Sequence, residues 1–182
     1  MLRGVPITAS LREFSAKKPL TAHKKPDLGR RESLLFHKMI TTYEQKSATL
    51  WINQGGSLNM AARLESVAKY ICEMSGWNVS NLQLQKLMYL AQMIHMGRTG
   101  GKHLFEGGFE AWDYGPVEPD LYHKVKVFGS GPIRDVFRKA RGFDDDDPRR
   151  KVMDDVTNRF LKFSAGDLVD ITHWDDGAWA KH

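Results

Sequence analysis

Apolar residues recur at helical spacing shortly after residue 60. They follow the i, i+3, i+4, i+7 rule and are Leu64, Val67, Ala68 and Ile71. This spacing puts them on one face and predicts an amphipathic helix over residues 61–74. Gly76 follows and is typical of the position just beyond a helix C-terminus.

A second helix is the most strongly patterned segment of the chain. Ser80 followed by Gln83 matches a capping box and predicts its start, and Gly97 with the Gly100-Gly101 pair predicts its end. We assign its core face to the apolar residues Leu84, Leu87, Met88, Ala91 and Ile94. We place three polar residues mostly off that face: Gln85, Lys86 and Gln92.

The stretch after the second helix has little helical period. Aromatic residues in 103–114 predict a short strand or a β-hairpin. Tyr114-Gly115-Pro116 is then interpreted as a turn that stops regular structure. Pro119 is well placed in the first turn of a third helix over about 118–128.

Two further helices are predicted near the C-terminus, after a loop over 133–146. Asp147 caps the fourth helix and Pro148 takes its first position. Ser164, with Asp167, caps a fifth helix that extends to about Thr172. The predicted fold class is therefore mainly α with a small β element, a compact helical domain with a short strand or hairpin before the third helix.

Three blocks of sequence resemble a known family. AWDYGPV at residues 111–117, with Pro119 and Leu121-Tyr122 after it, closely resembles the signature of the Panacea domain. NLQLQKLMYLAQ at residues 81–92 is similar to the family's "LQKLLYLAQ" helix, and LVDITH at 168–173 with Trp179 is similar to its closing motif. One departure is Ala178, where the family usually has proline. The resemblance covers roughly Met60 to the C-terminus and implies a SocA-like antitoxin domain, a family also known as GepA or phage-associated protein.

The resemblance implies a protein-binding function without catalysis. Such an antitoxin neutralises a toxin encoded beside it by direct contact, and the SocA-type variant also delivers the toxin to the ClpXP protease. The candidate partner-binding residues are Trp112, Tyr114, Gly115, Pro116, Tyr122, His173 and Trp179. Tryptophan and tyrosine concentrate binding energy at interfaces, but their alternative role here is core packing.

The charge of the chain is unevenly distributed. The formal net charge is +5, yet the basic excess belongs wholly to residues 1–59, while the rest of the chain is near neutral. A neutral domain argues against a nucleic-acid groove within it. The alternative function is a DNA-binding or autoregulatory module that uses the basic N-terminal arm.

We divide the chain into a flexible basic segment, residues 1–59, and an antitoxin domain, residues 60–182. Apolar positions near helical spacing predict a helix over residues 32–52. Because the family resemblance starts near Met60, we also hypothesise that Met60 is the true start and that residues 1–59 are an over-extended gene start. One cysteine and no long apolar run favour a cytoplasmic protein that does not span a membrane.

No catalytic, metal or cofactor motif has convincing spacing. No histidine pair has the i, i+4 arrangement of a helical metal site, and no glycine-rich loop has the lysine of a phosphate site. Cys72 lies beside Ile71 and is interpreted as a small buried side chain. A hydrolase site at His173, with Asp170, Asp175 and Asp176 nearby, is the weakest alternative. We therefore predict a protein that is not an enzyme and needs no cofactor.

Overall fold

The computed structural model describes residues 61–172. The predictions for residues 1–59, including the helix over 32–52, and those for His173 and Trp179 lie outside the described residues. The elements in chain order are α1 (Leu64–Met74), α2 (Asn81–Thr99), β1 (Glu110–Trp112), β2 (Gly115–Val117), α3 (Pro119–Val125), a 3-10 turn (Lys126–Phe128), α4 (Pro148–Phe160) and α5 (Ala165–Thr172). This architecture confirms the predicted mainly α fold with a small β element.

Local capping signals set the helix boundaries as predicted. The Ser80 side chain accepts a hydrogen bond from the Gln83 amide, and the Gln83 side chain accepts one from the Ser80 amide. Gly100 then ends α2 in a left-handed conformation (φ +71°). The Asp147 carboxylate caps α4, and the Ser164 hydroxyl accepts a hydrogen bond from the Asp167 amide at the start of α5.

Helix α2 is the centre of the molecule. It packs against α1, α3, α4 and α5, and also against β2. The apolar residues predicted to line the core are buried in α1 and α2. Met153, Val156 and Phe160 of α4 are buried with them, as is Phe163 after α4. Their burial is worth roughly 1.5–3 kcal/mol for each large side chain before conformational entropy is counted.

The prediction for the polar residues of α2 was wrong. Gln85, Lys86 and Gln92 are among the most buried side chains, at 1%, 0% and 2% exposure. A helix surrounded by other elements has no solvent face over most of its length, so its polar residues are buried with its apolar ones. Their partners are described with the site below.

The interpretation of Gly115-Pro116 as the end of regular structure was also wrong. These two residues begin β2, which pairs antiparallel with β1 in the register Glu110 to Val117, Ala111 to Pro116 and Trp112 to Gly115. The turn between the strands is therefore Asp113-Tyr114. Gly115 follows it at φ +88°, a backbone conformation that favours glycine.

The boundaries of two helices differ from those predicted. Helix α1 begins at Leu64, because Ala62 instead bridges the loop before β1: its amide donates to Leu104 O (2.8 Å) and its carbonyl accepts from the Glu106 amide (3.0 Å). Helix α3 is α-helical only to Val125 and then tightens into the 3-10 turn. No helix in residues 61–172 combines the length and apolarity needed to cross a membrane.

Candidate protein-interaction surface

The connection between β2 and α3 is held to α2 by the Gln85 amide. Its Oε1 accepts a hydrogen bond from the Glu118 backbone N–H (2.8 Å), and its Nε2 donates to the Glu118 carbonyl (3.2 Å). One side chain thus supplies the partner of the buried Glu118 N–H, which would be costly to leave unpaired, and a second bond to the Glu118 C=O, which also accepts from the Tyr122 amide (3.0 Å). Gln85 therefore fixes where the hairpin ends and α3 begins.

Lys86 anchors the hairpin itself. Its Nζ donates to the Pro116 carbonyl oxygen (3.0 Å) and its side chain is completely buried. Burial disfavours the charged amine and lowers the pKa of Lys86 to about 7. The lysine thus ties the second strand to the central helix in a site that makes its charge energetically unfavourable.

Gln92 makes the same kind of contact about two turns further along α2. Its Oε1 accepts hydrogen bonds from the amides of Leu104 (2.9 Å) and Phe105 (3.3 Å). Its Nε2 must then donate to Nδ1 of His103, which lies 3.0 Å away. The loop before β1 is therefore held to α2 through backbone atoms, as the hairpin is.

Glu118 organises the start of α3. Its Oε2 accepts a hydrogen bond from the Leu121 amide (2.6 Å), and burial raises the pKa of its carboxyl. The loop before β1 passes directly over it: a Cβ added to Gly107, at φ +136°, would lie 3.2 Å from Glu118 Oε1. The backbone angle favours glycine here, and a larger residue would also press on the Glu118 carboxylate.

The outer side of the hairpin presents aromatic rings. Tyr114, in the turn, is 55% exposed. The half-buried rings of Trp112 and Tyr122 meet edge to face with centroids 4.8 Å apart, and Trp112 Nε1 donates to Glu110 Oε2 (2.8 Å). We call Trp112, Asp113, Tyr114 and Tyr122 the hairpin surface.

The candidate binding residues from the sequence therefore divide into three groups. Trp112, Tyr114 and Tyr122 lie together on the hairpin and α3 and are accessible, Tyr114 most of all. Gly115 and Pro116 are buried in β2 and form its pairing with β1, so they support the surface without being exposed on it. His173 and Trp179 lie outside the described residues.

The described residues contain no assembled metal site, and their one cysteine is a poor nucleophile. In residues 61–172 no group of three or more histidine, cysteine, aspartate or glutamate side chains could hold a metal ion. Cys72 is buried as predicted, and burial raises its thiol pKa to about 12, which makes it a poor nucleophile. His95 is half-buried in α2, and desolvation lowers its pKa, so its neutral form is favoured near pH 7.

A shallow depression lies away from the hairpin, between the end of α1 and the loop before α4. Its lining residues are Gly76, Trp77, Asn78, Arg134 and Asp135. Trp77 (φ +59°) and Asp135 (φ +58°) both have left-handed backbones. Trp77 has a structural cause for this, because its amide closes the C-terminus of α1 by donating to Cys72 O (2.7 Å).

Sequence reasoning missed the anchoring role of Gln85, Lys86, Gln92 and Glu118. A signal was present, because polar residues interrupt the apolar pattern in the middle of the strongest helix. Their partners are backbone atoms far away in sequence, which no local pattern identifies. The pattern of polar residues in α2 therefore fits a solvent-facing side of the helix as well as a buried one.

Comparison with known proteins matches the part of the chain that contains this site. The family model described as "Antitoxin SocA-like, Panacea domain" matches residues 84–180. The protein named Antitoxin SocA of Caulobacter vibrioides (strain NA1000 / CB15N) is 32% identical over 116 residues, and the match covers 56% of this chain and 58% of that relative. The chain thus spans less than two thirds of the relative's length. No solved structure matches it significantly. Because the family model covers more than half of the chain, the protein belongs to the SocA-like antitoxin family with a Panacea domain.

Proposed function

We propose that this protein is the antitoxin of a toxin–antitoxin pair and that it neutralises a protein toxin by direct contact through the hairpin surface. Two findings support the proposal. The family is described as antitoxin-like, and the similar protein from Caulobacter vibrioides is named an antitoxin. The matched region includes both strands and the helix that anchors them.

The observation that carries the choice of surface is the exposure of Tyr114 on an anchored hairpin. An aromatic ring that is 55% exposed gains by burial against a partner. The strands beneath it are fixed by the buried Gln85 and Lys86 bonds, so little backbone freedom is lost on binding. A ring presented in this way is suited to a binding hot spot.

The test is growth rescue by the full chain when it is co-expressed with toxic reading frames that neighbour its gene. We expect wild type to rescue growth and to bind the purified toxin. Tyr114→Ala should weaken the affinity by about tenfold or more, because hot-spot rings contribute about 2 kcal/mol or more. Calorimetric titration of the toxin with each purified variant gives the affinity.

The matched control is Met74→Ala at the end of α1. Met74 is an apolar side chain that is 44% exposed and lies outside the hairpin surface. It should leave rescue and affinity unchanged. Equal loss in both variants, or full binding by a folded Tyr114→Ala, would argue against the hairpin surface. Failure of wild type to rescue any neighbouring toxin would argue against the antitoxin role.

Direct neutralisation and delivery to ClpXP differ in their requirement for the protease. If contact alone blocks the toxin, rescue persists in a host that lacks ClpX and the toxin level stays constant. If delivery is needed, rescue disappears in that host while binding in vitro remains. Measuring toxin abundance alongside growth separates the two routes.

A further inference from the structure

The surroundings of the hairpin are acidic while the described domain is balanced. The segment from Leu104 to Tyr122 contains no lysine or arginine, and its acidic residues are Glu106, Glu110, Asp113, Glu118 and Asp120. All of them except Glu118 are exposed. The next segment reverses the sign, because residues 123–141 carry six basic residues, Lys124, Lys126, Arg134, Arg138, Lys139 and Arg141, against Asp135.

The acidic residues of the two regions also differ in their partners. Asp135 pairs with Arg138 (2.8 Å), and Asp147 pairs with Arg149 (2.5 Å). Among the ion pairs formed within residues 61–172, none includes Asp113 or Asp120. Asp113, beside the exposed Tyr114, thus has no neutralising ion pair within that part of the chain, whereas Asp120 lies within electrostatic reach of Lys124.

Aromatic rings and carboxylates together favour one class of ligand. A guanidinium or ammonium group gains by lying over an aromatic face and by pairing with a carboxylate at the same time. Asp113 and Tyr114 are adjacent in the turn, and Asp120 lies in the first turn of α3, the helix that also carries Tyr122. An anionic segment would meet repulsion at the same place.

Resting on the proposed function, we propose that the partner's contact element on the hairpin surface is a basic peptide segment, with an arginine or lysine side chain over the Tyr114 ring and paired with Asp113. Charge complementarity with an acidic, aromatic surface selects this occupant. The anchored strands fix the position of both groups relative to α2. The acidic region therefore sets the specificity for the partner, and the exposed ring adds affinity.

The chain's own N-terminal segment is the competing occupant. Residues 1–59 are rich in lysine and arginine, and the described part begins at residue 61, beside the loop that leads into β1. Self-docking would satisfy the same chemistry. The experiment must therefore use the full chain and vary this segment separately.

The test is selection of binders from a random peptide library against the full chain. Peptides that bind wild type should be enriched in arginine and lysine, and salt should weaken their binding. Asp113→Lys should reduce the affinity at least about tenfold by removing one favourable charge contact and adding a repulsive one. Asp146→Lys, at an exposed carboxylate before α4, is the matched control and should leave binding unchanged.

Three results would overturn the proposal. The first is a set of selected peptides with no excess of basic residues, and the second is an equal loss of affinity in both charge-reversal variants. The third would identify self-docking: basic peptides bind only when Lys17, Lys18, Lys24 and Lys25 are replaced together by glutamine. Fluorescence anisotropy of labelled peptides measures each case.

The outcomes for this proposal and for the antitoxin role are separable. If toxin binding is lost in Tyr114→Ala but unchanged in Asp113→Asn, direct neutralisation is supported and the proposal of a basic contact segment is contradicted. Specific binding of basic peptides, together with no rescue of any neighbouring toxin, keeps the chemistry of the surface and rejects the antitoxin role. Loss in both Asp113→Asn and Tyr114→Ala, with binding retained in Asp146→Lys, supports both.

Discussion

Helix α2 is held in two different ways by the two parts of the molecule around it. The other helices pack mainly on its apolar residues. The hairpin region also packs on it, as in the edge-to-face contact of Phe109 with Tyr89 (centroids 5.2 Å), but is held in addition by buried hydrogen bonds from Gln85, Lys86 and Gln92. All the acceptors and donors on the hairpin side, apart from His103, are backbone atoms. Exposed side chains of the hairpin can therefore change without breaking these hydrogen bonds. In this way a fixed scaffold can carry a variable binding surface.

Removing the pair of hydrogen bonds made by Gln85 should destabilise the protein most. Gln85→Leu leaves the buried N–H of Glu118 without its partner, while the Glu118 C=O loses one of two bonds and keeps the one from the Tyr122 amide (3.0 Å). The unsatisfied N–H costs about 1–3 kcal/mol and the lost second bond at the C=O about 0.5–1.5 kcal/mol, so we expect the free energy of unfolding to fall by about 2–4 kcal/mol. Urea denaturation gives the free energy of unfolding, and hydrogen exchange of the Glu118 amide reports the local opening.

Gln83→Leu is the matched control for this change on the same helix. Gln83 is only half-buried: its Nε2 donates to Phe163 O (3.2 Å) and its Oε1 accepts from the Ser80 amide (3.1 Å) in the cap of α2. Water can replace part of both bonds. Its cost should be clearly smaller, and exchange at Glu118 should stay slow. If both substitutions cost the same, the buried hydrogen bonds of Gln85 are not what chiefly holds the hairpin to α2.

The next effect in size is a dependence of stability on pH through Lys86. Its pKa is about 7 in the folded protein and near the ordinary lysine value when unfolded. Between these pH values the unfolded chain binds the proton that the folded chain has released, so stability rises as pH increases from about 7 to 10. The gain in unfolding free energy over this range is on the order of a few kcal/mol. It is complete near pH 10 and has not yet begun below pH 7, where Lys86 is charged in both states.

Lys86→Met tests that dependence. The substitution removes the buried amine but also the bond to Pro116 O, so the net gain at pH 7 should be smaller, about 1–3 kcal/mol. The slope of unfolding free energy against pH above 7 should flatten in the variant. A wild-type stability that falls between pH 7 and 9, or an unchanged slope in the variant, would show that Lys86 stays charged in the folded protein.

The part of the fold that follows from local chemistry could be predicted from the sequence. Ser80 with Gln83, Asp147 with Pro148, and Ser164 with Asp167 each carry their signal within a few residues, and each forms the expected cap. Apolar spacing located the core in the same way.

What could not be predicted depends on contacts between distant segments. Lys86 and Pro116 are 30 residues apart, and Gln85 and Glu118 are 33 apart. Whether a glutamine or lysine is buried depends on which backbone groups lie opposite, so the same residues fit a solvent-facing side equally well. Gly115-Pro116 likewise forms a strand only because β1 and α2 supply its partners.

Tyr114→Ala should change stability least, although we expect it to weaken binding strongly. The substitution removes a mostly exposed ring from a turn whose strands are held by backbone contacts. Exposed substitutions of this kind change stability by no more than about 0.5 kcal/mol. Urea denaturation should therefore give the wild-type midpoint, while affinity for the toxin falls. A large loss of stability would mean that the ring holds the hairpin together, and loss of binding would then reflect misfolding. An unchanged midpoint with weakened binding would show that Tyr114 serves binding, while the buried backbone contacts of the hairpin serve stability.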